Sequence, residues 1–117
     1  GRQCAMPMNH EFAPTEPARA DVDTAAGQGP VLVEFGAPWC PHCQRAQPLL
    51  EQTLAAHPGV RHYKIEDGSG KPLGRSFRVK LWPTLVFMQG GQEVARLVRP
   101  TEAGPIADAL ARIDPAA

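Results

Sequence analysis

Apolar residues along the chain form two kinds of pattern, short unbroken runs and spaced stripes. The runs Val31–Phe35 and Thr84–Met88 contain β-branched and aromatic side chains, which is typical of strands buried on both faces. Residues Pro41–Ala56 carry apolar side chains at three- and four-residue spacing, so they predict a helix with one buried side. The two patterns alternate, which predicts strands and helices that share one core.

Shorter segments complete the predicted order of elements. They are a helix over Glu16–Ala26, a strand over Val60–Ile65, a short helix over Pro72–Phe77, a strand over Glu93–Val98 after a turn at Gly90-Gly91, and a last helix with Ile106, Leu110 and Ile113 on one face. Thr15 and Thr101 are the predicted N-caps of the first and last helices, because a hydroxyl oxygen accepts hydrogen bonds from the N–H groups that open a helix. This order predicts an α/β fold with a mixed central sheet and helices on both faces.

The composition sets the number of domains. The chain has 117 residues, 43% of them hydrophobic, which is enough for one core and not for two. We therefore predict a single domain over residues 15–114. Residues 1–14 contain few large apolar side chains and are predicted to be loosely ordered, and residues 115–117 form a C-terminal tail.

Charge and hydropathy exclude two classes of partner. The 12 basic side chains balance 12 acidic ones, and no basic cluster provides the positive surface that nucleic acid or anionic lipid requires. The longest apolar run, Leu85–Met88, is far shorter than the roughly 18 residues of a membrane-spanning helix. We expect a soluble monomer that binds no nucleic acid and does not insert into a membrane.

The candidate chemistry is concentrated in Cys40-Pro41-His42-Cys43, at the junction between a predicted strand and a predicted helix. Residues three apart on a helix lie about 5 Å from each other, within the range that a disulfide spans. The N-terminus of a helix stabilises an anion, so we expect the thiolate of Cys40 to be favoured and to act as the nucleophile. Cys43, one turn further in, would then resolve the mixed disulfide that Cys40 forms.

Pro41 and His42 are expected to tune this dithiol. Pro41 suits the first helical position, where its missing N–H costs no hydrogen bond. A protonated His42 would place a positive charge beside Cys40 and stabilise the thiolate further. Stabilising the reduced form makes the disulfide a stronger oxidant, so His42 favours a more oxidising protein.

Two other interpretations of the cysteines compete with this one. The spacing of a Cys2His2 zinc finger is matched by Cys40, Cys43, His57 and His62. Against it, a predicted helix separates the two pairs, and Pro58-Gly59 breaks the chain between the histidines. The cysteines could also be inert structural residues, but an inert pair has no reason to lie at a helix N-terminus. We expect no metal ion.

With Trp39-Cys40-Pro41-His42-Cys43 between a buried strand and a helix that contains Pro48, the sequence resembles the thioredoxin family over about Val31 to Ile113. The resemblance implies a thioredoxin fold and thiol–disulfide exchange with disulfide-containing protein substrates. It implies no cofactor beyond the redox-active disulfide that Cys40 and Cys43 would form. It also implies a redox partner, which the sequence does not identify.

The same resemblance implies roles for a buried acid and a lysine. Glu34 stands six residues before Cys40, where the family carries an acid that relays a proton to and from the inner cysteine. Burial favours the protonated carboxyl, which suits proton transfer near neutrality. Lys64 falls where many members hold a lysine near that acid. The alternatives are an acid that faces solvent and a solvated lysine at the end of a strand.

A substrate-binding segment is implied as well. Pro83 in Trp82-Pro83-Thr84 matches the family's cis-proline, which packs against the dithiol. The backbone of Trp82 would then be free to pair with an extended substrate segment. Trp39 is expected to shield the dithiol from water, and the alternative for this residue is a plain core role.

Three residues depart from the family pattern. His42 replaces the proline of Cys-Gly-Pro-Cys reductases, and Cys-Pro-His-Cys is similar to bacterial periplasmic oxidants of the Dsb type. The 39 residues between Cys43 and Pro83 are too few for the inserted helical domain of those oxidants. Glu34 replaces the usual aspartate, and Arg99 replaces a glycine in the flat docking surface.

The sequence thus supports three functional hypotheses. The first is a reductase that exchanges disulfides through Cys40. The second is a more oxidising oxidase or isomerase in an extracytoplasmic compartment, and the third is a non-enzymatic binding module of thioredoxin fold. The spare thiol of Cys4 favours a reducing, cytoplasmic compartment. A removed signal segment would instead place the protein in the periplasm.

Overall fold

The computed structural model describes residues 8–115, which form four helices and four strands. In chain order they are α1 (Arg19–Gln28), β1 (Val31–Gly36), α2 (Pro41–Leu54), β2 (Arg61–Glu66), α3 (Pro72–Ser76), β3 (Thr84–Gln89), β4 (Gln92–Val98) and α4 (Ala103–Ile113). The elements predicted from the apolar patterns agree with these bounds to within a few residues. Cys4 and the last two residues of the predicted tail lie outside the described residues.

The four strands form one mixed sheet in the order β2-β1-β3-β4. β1 and β2 are parallel because α2 carries the chain back between them, and β3 is antiparallel to both of its neighbours. The turn between β3 and β4 has positive φ angles at Gly90 (64°) and Gly91 (79°), a conformation that favours glycine. The predicted mixed sheet is confirmed, and the glycine pair forms the turn.

Each face of the sheet has its own apolar cluster. On one face α1 and α3 pack over a set that includes Val31 and Val33 of β1. On the other face α2 and α4 pack over a set that includes Leu32 of β1 and Phe87 of β3. This confirms helices on both faces of the sheet. Because side chains alternate along a strand, Glu34 points to the α2 face together with Leu32.

The two predicted threonine caps are wrong. α1 begins at Arg19 with Ala18 at the N-cap, and α4 begins at Ala103 with Glu102 at the N-cap, neither with a side-chain cap bond. The reason in α4 is Pro105. A helix capped by Thr101 would need a backbone N–H from Pro105 to close its first turn, whereas a cap at Glu102 places the proline among the four N–H positions that have no partner within the helix.

The segment just before α1 lies along β2. The backbone N–H of Ala13 donates to the Lys64 carbonyl at 2.8 Å, and the backbone N–H of Asn9 donates to the His62 ring nitrogen Nδ1 at 3.0 Å. Met8 packs against the apolar cluster under α2 and α4. Part of the segment predicted to be loosely ordered, residues 8–13, therefore contacts the sheet, and the domain bounds themselves remain a prediction.

Candidate active site

The dithiol lies at the junction between β1 and α2. Cys40 is the N-cap of α2 in an extended conformation, and Pro41 occupies the first turn. The Cys40 sulfur accepts a hydrogen bond from the backbone N–H of Cys43, with a sulfur–nitrogen distance of 3.2 Å. Both cysteines are free thiols and buried. A thiolate on Cys40 is therefore stabilised by one of the unpaired N–H groups at the head of the helix.

The surroundings of Cys43 disfavour its thiolate, whereas those of Cys40 stabilise one. Burial and the hydrogen bond with Cys40 raise the pKa of the Cys43 thiol to about 12. The Ala37 backbone lowers this pKa, and the negative charges of Cys40 and Glu34 raise it by smaller amounts. At neutral pH this sulfur is protonated. It can attack a disulfide only after a nearby base has taken its proton.

The raised pKa of Cys43 predicts a pH-dependent stability of the reduced protein. Below pH 9 the thiol is protonated in both the folded and unfolded states, whereas between pH 9 and about 12 only the folded state keeps the proton. Because the unfolded state then binds fewer protons, the free energy of unfolding falls as the pH rises through this interval. Urea unfolding at pH 8 and at about pH 10 should show a steeper loss in wild type than in Cys43→Ala. Equal losses in the two proteins would contradict the raised pKa.

Gly36, the last residue of β1, allows the close approach of Cys43 to the sheet. A Cβ atom on this glycine would lie 2.6 Å from the Cys43 sulfur, far inside van der Waals contact. The position therefore requires glycine for lack of space rather than for its φ angle. The sulfur of Cys43 packs directly on the backbone of the strand.

Glu34 is fully buried, so the solvent-facing alternative is wrong. Its Oε1 faces Nε2 of His62 at 2.9 Å, and its Oε2 accepts a hydrogen bond from Nε2 of Gln47 at 2.8 Å. Since Nδ1 of His62 accepts from the backbone of Asn9, the single proton of a neutral imidazole is on Nε2, which donates to Glu34. Both carboxylate oxygens thus accept hydrogen bonds.

Lys64 is buried, so the solvated alternative is wrong for this residue too. Its Nζ donates to Oε1 of Gln47 at 2.8 Å and to the carbonyl of His10 at 3.2 Å, and it lies 4.9 Å from the centroid of the Phe12 ring. Lys64 reaches Glu34 through the amide of Gln47. The amide of Gln47 also donates to the Cys43 carbonyl at 2.9 Å, so it links the acid, the lysine and the inner cysteine.

The sequence analysis missed His62 and Gln47 as parts of this network. A signal for His62 exists in the sequence, because it stands two residues before Lys64 in the same predicted strand. In the structure β1 and β2 are parallel, with Leu32 opposite His62 and Glu34 opposite Lys64. Alternation therefore puts His62 and Lys64 on the same face as Glu34. Gln47 is one polar residue among several on α2, and only the packing of the helix on the sheet identifies it.

The substrate-binding segment predicted at residues 82–84 lies at the rim of the dithiol. The Trp82–Pro83 peptide bond is cis, and Trp82 packs against the cluster that contains both cysteines. The indole N–H of Trp82 donates to Asp67 Oδ2 at 2.9 Å, and its ring meets that of Trp39 edge-on, with 5.5 Å between centroids. Trp39 is 69% exposed, so the core alternative for it is wrong. Thr84 is buried at the start of β3.

Arg99 occupies part of this rim. Its φ angle of 51° lies in the left-handed region, which explains a glycine preference here and costs a non-glycine residue about 1–2 kcal/mol. Its backbone N–H donates to the Pro83 carbonyl at 2.9 Å, and its Nε donates to the Trp82 carbonyl at 2.8 Å. The expectation that the Trp82 backbone is free was therefore wrong for its carbonyl, which the Arg99 side chain already holds.

His42 does not carry the positive charge proposed for it. Its Nδ1 lies 2.8 Å from Nη2 of Arg45, and because a guanidinium only donates, this ring nitrogen accepts. Desolvation lowers the pKa of His42, and the charges of Arg99 and Arg45 lower it further. The imidazole is therefore neutral at pH 7. The positive charges beside the His42 ring are those of the two arginines.

The zinc-finger histidines have other partners. Nδ1 of His57 lies 2.8 Å from Oδ2 of Asp114, and His62 belongs to the Glu34 network. Within residues 8–115, no group of three or more His, Cys, Asp or Glu side chains has the arrangement of a metal site. A separate search of the same residues finds no helix with the length and apolar character that a bilayer span requires.

Comparison with known proteins places this site in a family. The family model described as Thioredoxin matches residues 13–112. Thioredoxin-2 of Saccharomyces cerevisiae is 32% identical over 78 residues, which are 67% of this chain and 75% of that protein. A protein disulfide-isomerase of Hordeum vulgare is 40% identical over 96 residues, 75% of this chain, but the matched part spans only 19% of that longer protein.

A solved structure supports the same assignment. Thioredoxin 2 from Pseudomonas aeruginosa PAO1 in its reduced form is 51% identical, with a TM-score of 0.77 over 90% of this chain and 95% of that one. The four-stranded sheet and flanking helices are thus a thioredoxin fold, and the CXXC pair at the head of α2 is its redox centre. The chain belongs to the thioredoxin family of thiol–disulfide oxidoreductases.

Proposed function

We propose that the protein reduces disulfide bonds of protein substrates, with Cys40 as the nucleophile and Cys43 as the resolving thiol. The observation that carries the proposal is the contrast between the two sulfurs. Cys40 accepts the backbone N–H at the head of α2, which favours an anion, while the pKa of Cys43 is raised to about 12. In this proposal the Cys40 thiolate attacks the substrate, and the protonated Cys43 does not react until a mixed disulfide has formed.

The proposed reaction transfers two electrons to the substrate. The Cys40 thiolate attacks one substrate sulfur, forms a mixed disulfide and releases the other substrate sulfur as a thiolate. Cys43 then loses its proton, attacks the Cys40 sulfur and releases the second substrate thiolate. The substrate gains two electrons, and its two thiolates take up the one proton that left Cys43 and one proton from water. The protein is left with a Cys40–Cys43 disulfide. A dithiol reductase, whose identity is open, would return the two electrons.

Glu34 is the proposed proton acceptor for Cys43. It is a buried carboxylate whose charge contributes to the raised pKa of that thiol, and Gln47 hydrogen-bonds both Glu34 and the Cys43 backbone. Lys64 and His62 act in this proposal as positioning residues. Lys64 holds Gln47, and His62 holds Glu34.

Exposed apolar side chains around the dithiol favour protein substrates. Trp39, Leu81 and Val98 are 69%, 48% and 47% exposed. In the sequence Trp39 directly precedes the nucleophile Cys40. Leu81 and Val98 directly precede Trp82 and Arg99, two residues at the rim of the dithiol. We propose that this surface, with Trp82, Pro83 and Thr84, receives the apolar residues around a disulfide in a partly unfolded chain. We further propose a monomer in a reducing, cytoplasmic compartment, where the dithiol stays reduced.

Insulin precipitation in the presence of dithiothreitol tests the proposed activity. Reduction of the interchain disulfides makes the insulin B chain precipitate, so the wild-type protein should raise the rate of turbidity above that of dithiothreitol alone. The matched control is Cys40→Ser, which keeps the size of the side chain and should return the rate to background. A wild-type rate indistinguishable from Cys40→Ser would end the proposal.

An oxidase or isomerase remains the second candidate. It is favoured by the likeness to the protein disulfide-isomerase of Hordeum vulgare, which is 40% identical over 96 residues. A titration of the Cys40–Cys43 couple against glutathione separates the candidates. A reduction potential of about −270 mV, as in thioredoxin, supports the reductase. A reduction potential of about −180 mV, as in protein disulfide isomerase, supports the isomerase.

A further inference from the structure

A groove of about 290 Å³ lies next to the dithiol, between α2 and the loop that follows β4. It is lined by His42, Arg45 and Leu49 of the helix and by Arg99, Pro100 and Thr101 of the loop. His42 lies between the two cysteines in sequence, so the groove begins at the active-site turn. A substrate segment that is bound through Cys40 would therefore have neighbouring residues within reach of it.

Two guanidinium groups line this groove without a carboxylate partner. Arg45 contacts the neutral ring of His42, and Arg99 contacts the carbonyl of Trp82. Across the part of the chain that the structure describes, neither forms an ion pair, whereas Arg19 and Arg96 pair with acids at 2.9 and 2.7 Å. The contacts of Arg45 and Arg99 hold the positive charges in place but leave them uncompensated.

The two charges act on the same point of the groove. Both lower the pKa of His42, in addition to the effect of desolvation. Leu49 and Pro100 also line the groove and give it apolar wall. An anionic group with a short methylene stem fits this combination, because a guanidinium presents N–H donors in a fork that matches a carboxylate.

We propose that this groove binds the carboxylate of an aspartate or glutamate that flanks the attacked cysteine of a protein substrate. The protein would then select, among disulfides, those with acidic residues close to them. This inference rests on the proposed function, since it concerns the substrates of the same dithiol. It assigns Arg45 and Arg99 to substrate specificity.

Two disulfide-bonded peptides of equal length test the selection. One carries Asp and Glu beside the cysteines, and the other carries Asn and Gln at the same places. We expect wild type to reduce the acidic peptide with a kcat/KM about fivefold higher at low ionic strength, the size of a partly exposed charge pair. The preference should shrink at about 0.5 M salt, where the screening length falls to a few ångströms.

Variants locate the preference in the groove. Arg45→Gln and Arg99→Gln should each lower the ratio of the two kcat/KM values, and the double variant should bring it to about one. Arg99→Lys keeps the charge and should retain part of the preference. This variant separates the loss of charge in Arg99→Gln from a change in the conformation of the loop. The matched control is Arg112→Gln, the same change at the far end of α4, which should leave the ratio unchanged.

The outcomes separate this inference from the proposed function. If wild type reduces both peptides at equal rates, or if Arg112→Gln lowers the ratio as much as the groove variants do, the inference is overturned and the reductase activity stands. If neither peptide is reduced, the proposed function fails first. Glutathione disulfide, a small disulfide with carboxylates, serves as a third substrate. If the groove variants lower its kcat/KM but leave that of the acidic peptide unchanged, the inference is also overturned, because the groove would then be a small-molecule site.

Discussion

A Cys43→Ala variant is expected to stop halfway through the reaction, with the substrate held on Cys40. The attacking thiolate of Cys40 remains stabilised by the N-terminus of α2, but no second thiol is left to release the mixed disulfide. The test uses 5,5′-dithiobis(2-nitrobenzoate) as substrate, in a Cys4→Ser background so that only the dithiol reacts. Wild type should release two equivalents of thionitrobenzoate, and Cys43→Ala one equivalent together with a stable adduct.

The matched control for this trap is Cys40→Ser. Burial is the largest cause of the raised pKa of Cys43 and remains in this variant, so the remaining thiol should react slowly at neutral pH and release almost no thionitrobenzoate. Rapid reaction of Cys40→Ser would show that Cys43 is itself a nucleophile. Release of a second equivalent by Cys43→Ala would show that another group resolves the disulfide. A protein that traps no substrate would favour the binding-module hypothesis.

A Glu34→Gln variant is expected to slow the second half of the reaction and leave the first half largely unchanged. The variant lacks the proposed proton acceptor for Cys43, and general-base catalysis typically contributes about 10²- to 10⁴-fold. The release of the second thionitrobenzoate, followed by stopped flow, should therefore slow by at least about 100-fold at pH 7. Its rate should rise with pH in the variant, because hydroxide then replaces the carboxylate as the base.

The same variant should also be less stable. His62 Nε2 and Gln47 Nε2 both donate toward Glu34, and the neutral amide of glutamine has only one oxygen to accept with. One donor then faces the amide NH2 group, which costs about 1–3 kcal/mol in the free energy of unfolding. Glu51→Gln, the same substitution at an exposed position of α2, is the control and should change neither quantity. An unchanged second phase with a large stability loss would make Glu34 a structural residue only.

The parts of the fold that could be predicted from the sequence are those with local causes. β-branched runs predict strands, and the predicted central helix begins at Pro41 in the structure because a proline in the first helical turn loses no hydrogen bond. The place of Cys40 at the head of that helix has the same local origin. The α4 cap was mispredicted although its cause, Pro105, is also local: the position of the proline decides against Thr101 as the cap.

The electrostatics of the site could not be predicted in the same way, because they depend on contacts between distant segments. A protonated His42 was considered as a cation beside Cys40, but desolvation lowers the pKa of this histidine, and the charges of Arg99 and Arg45 lower it further. The Trp82 carbonyl was expected to be free, but Arg99 reaches it through a loop conformation that no pattern of apolar residues encodes. Such contacts require the three-dimensional structure.

The contact between Asn9 and His62 extends the functional unit beyond the strands and helices. The backbone N–H of Asn9 fixes which ring nitrogen of His62 carries the proton, and that nitrogen faces Glu34. A chain trimmed to the predicted start at Thr15 would retain every regular element. It would lose the backbone N–H that sets the tautomer of His62, the histidine that donates to Glu34. We therefore expect a chain that keeps residues 9–14 to preserve the His62–Glu34 contact, and a chain that starts at Thr15 to lose the hydrogen bond that fixes its geometry.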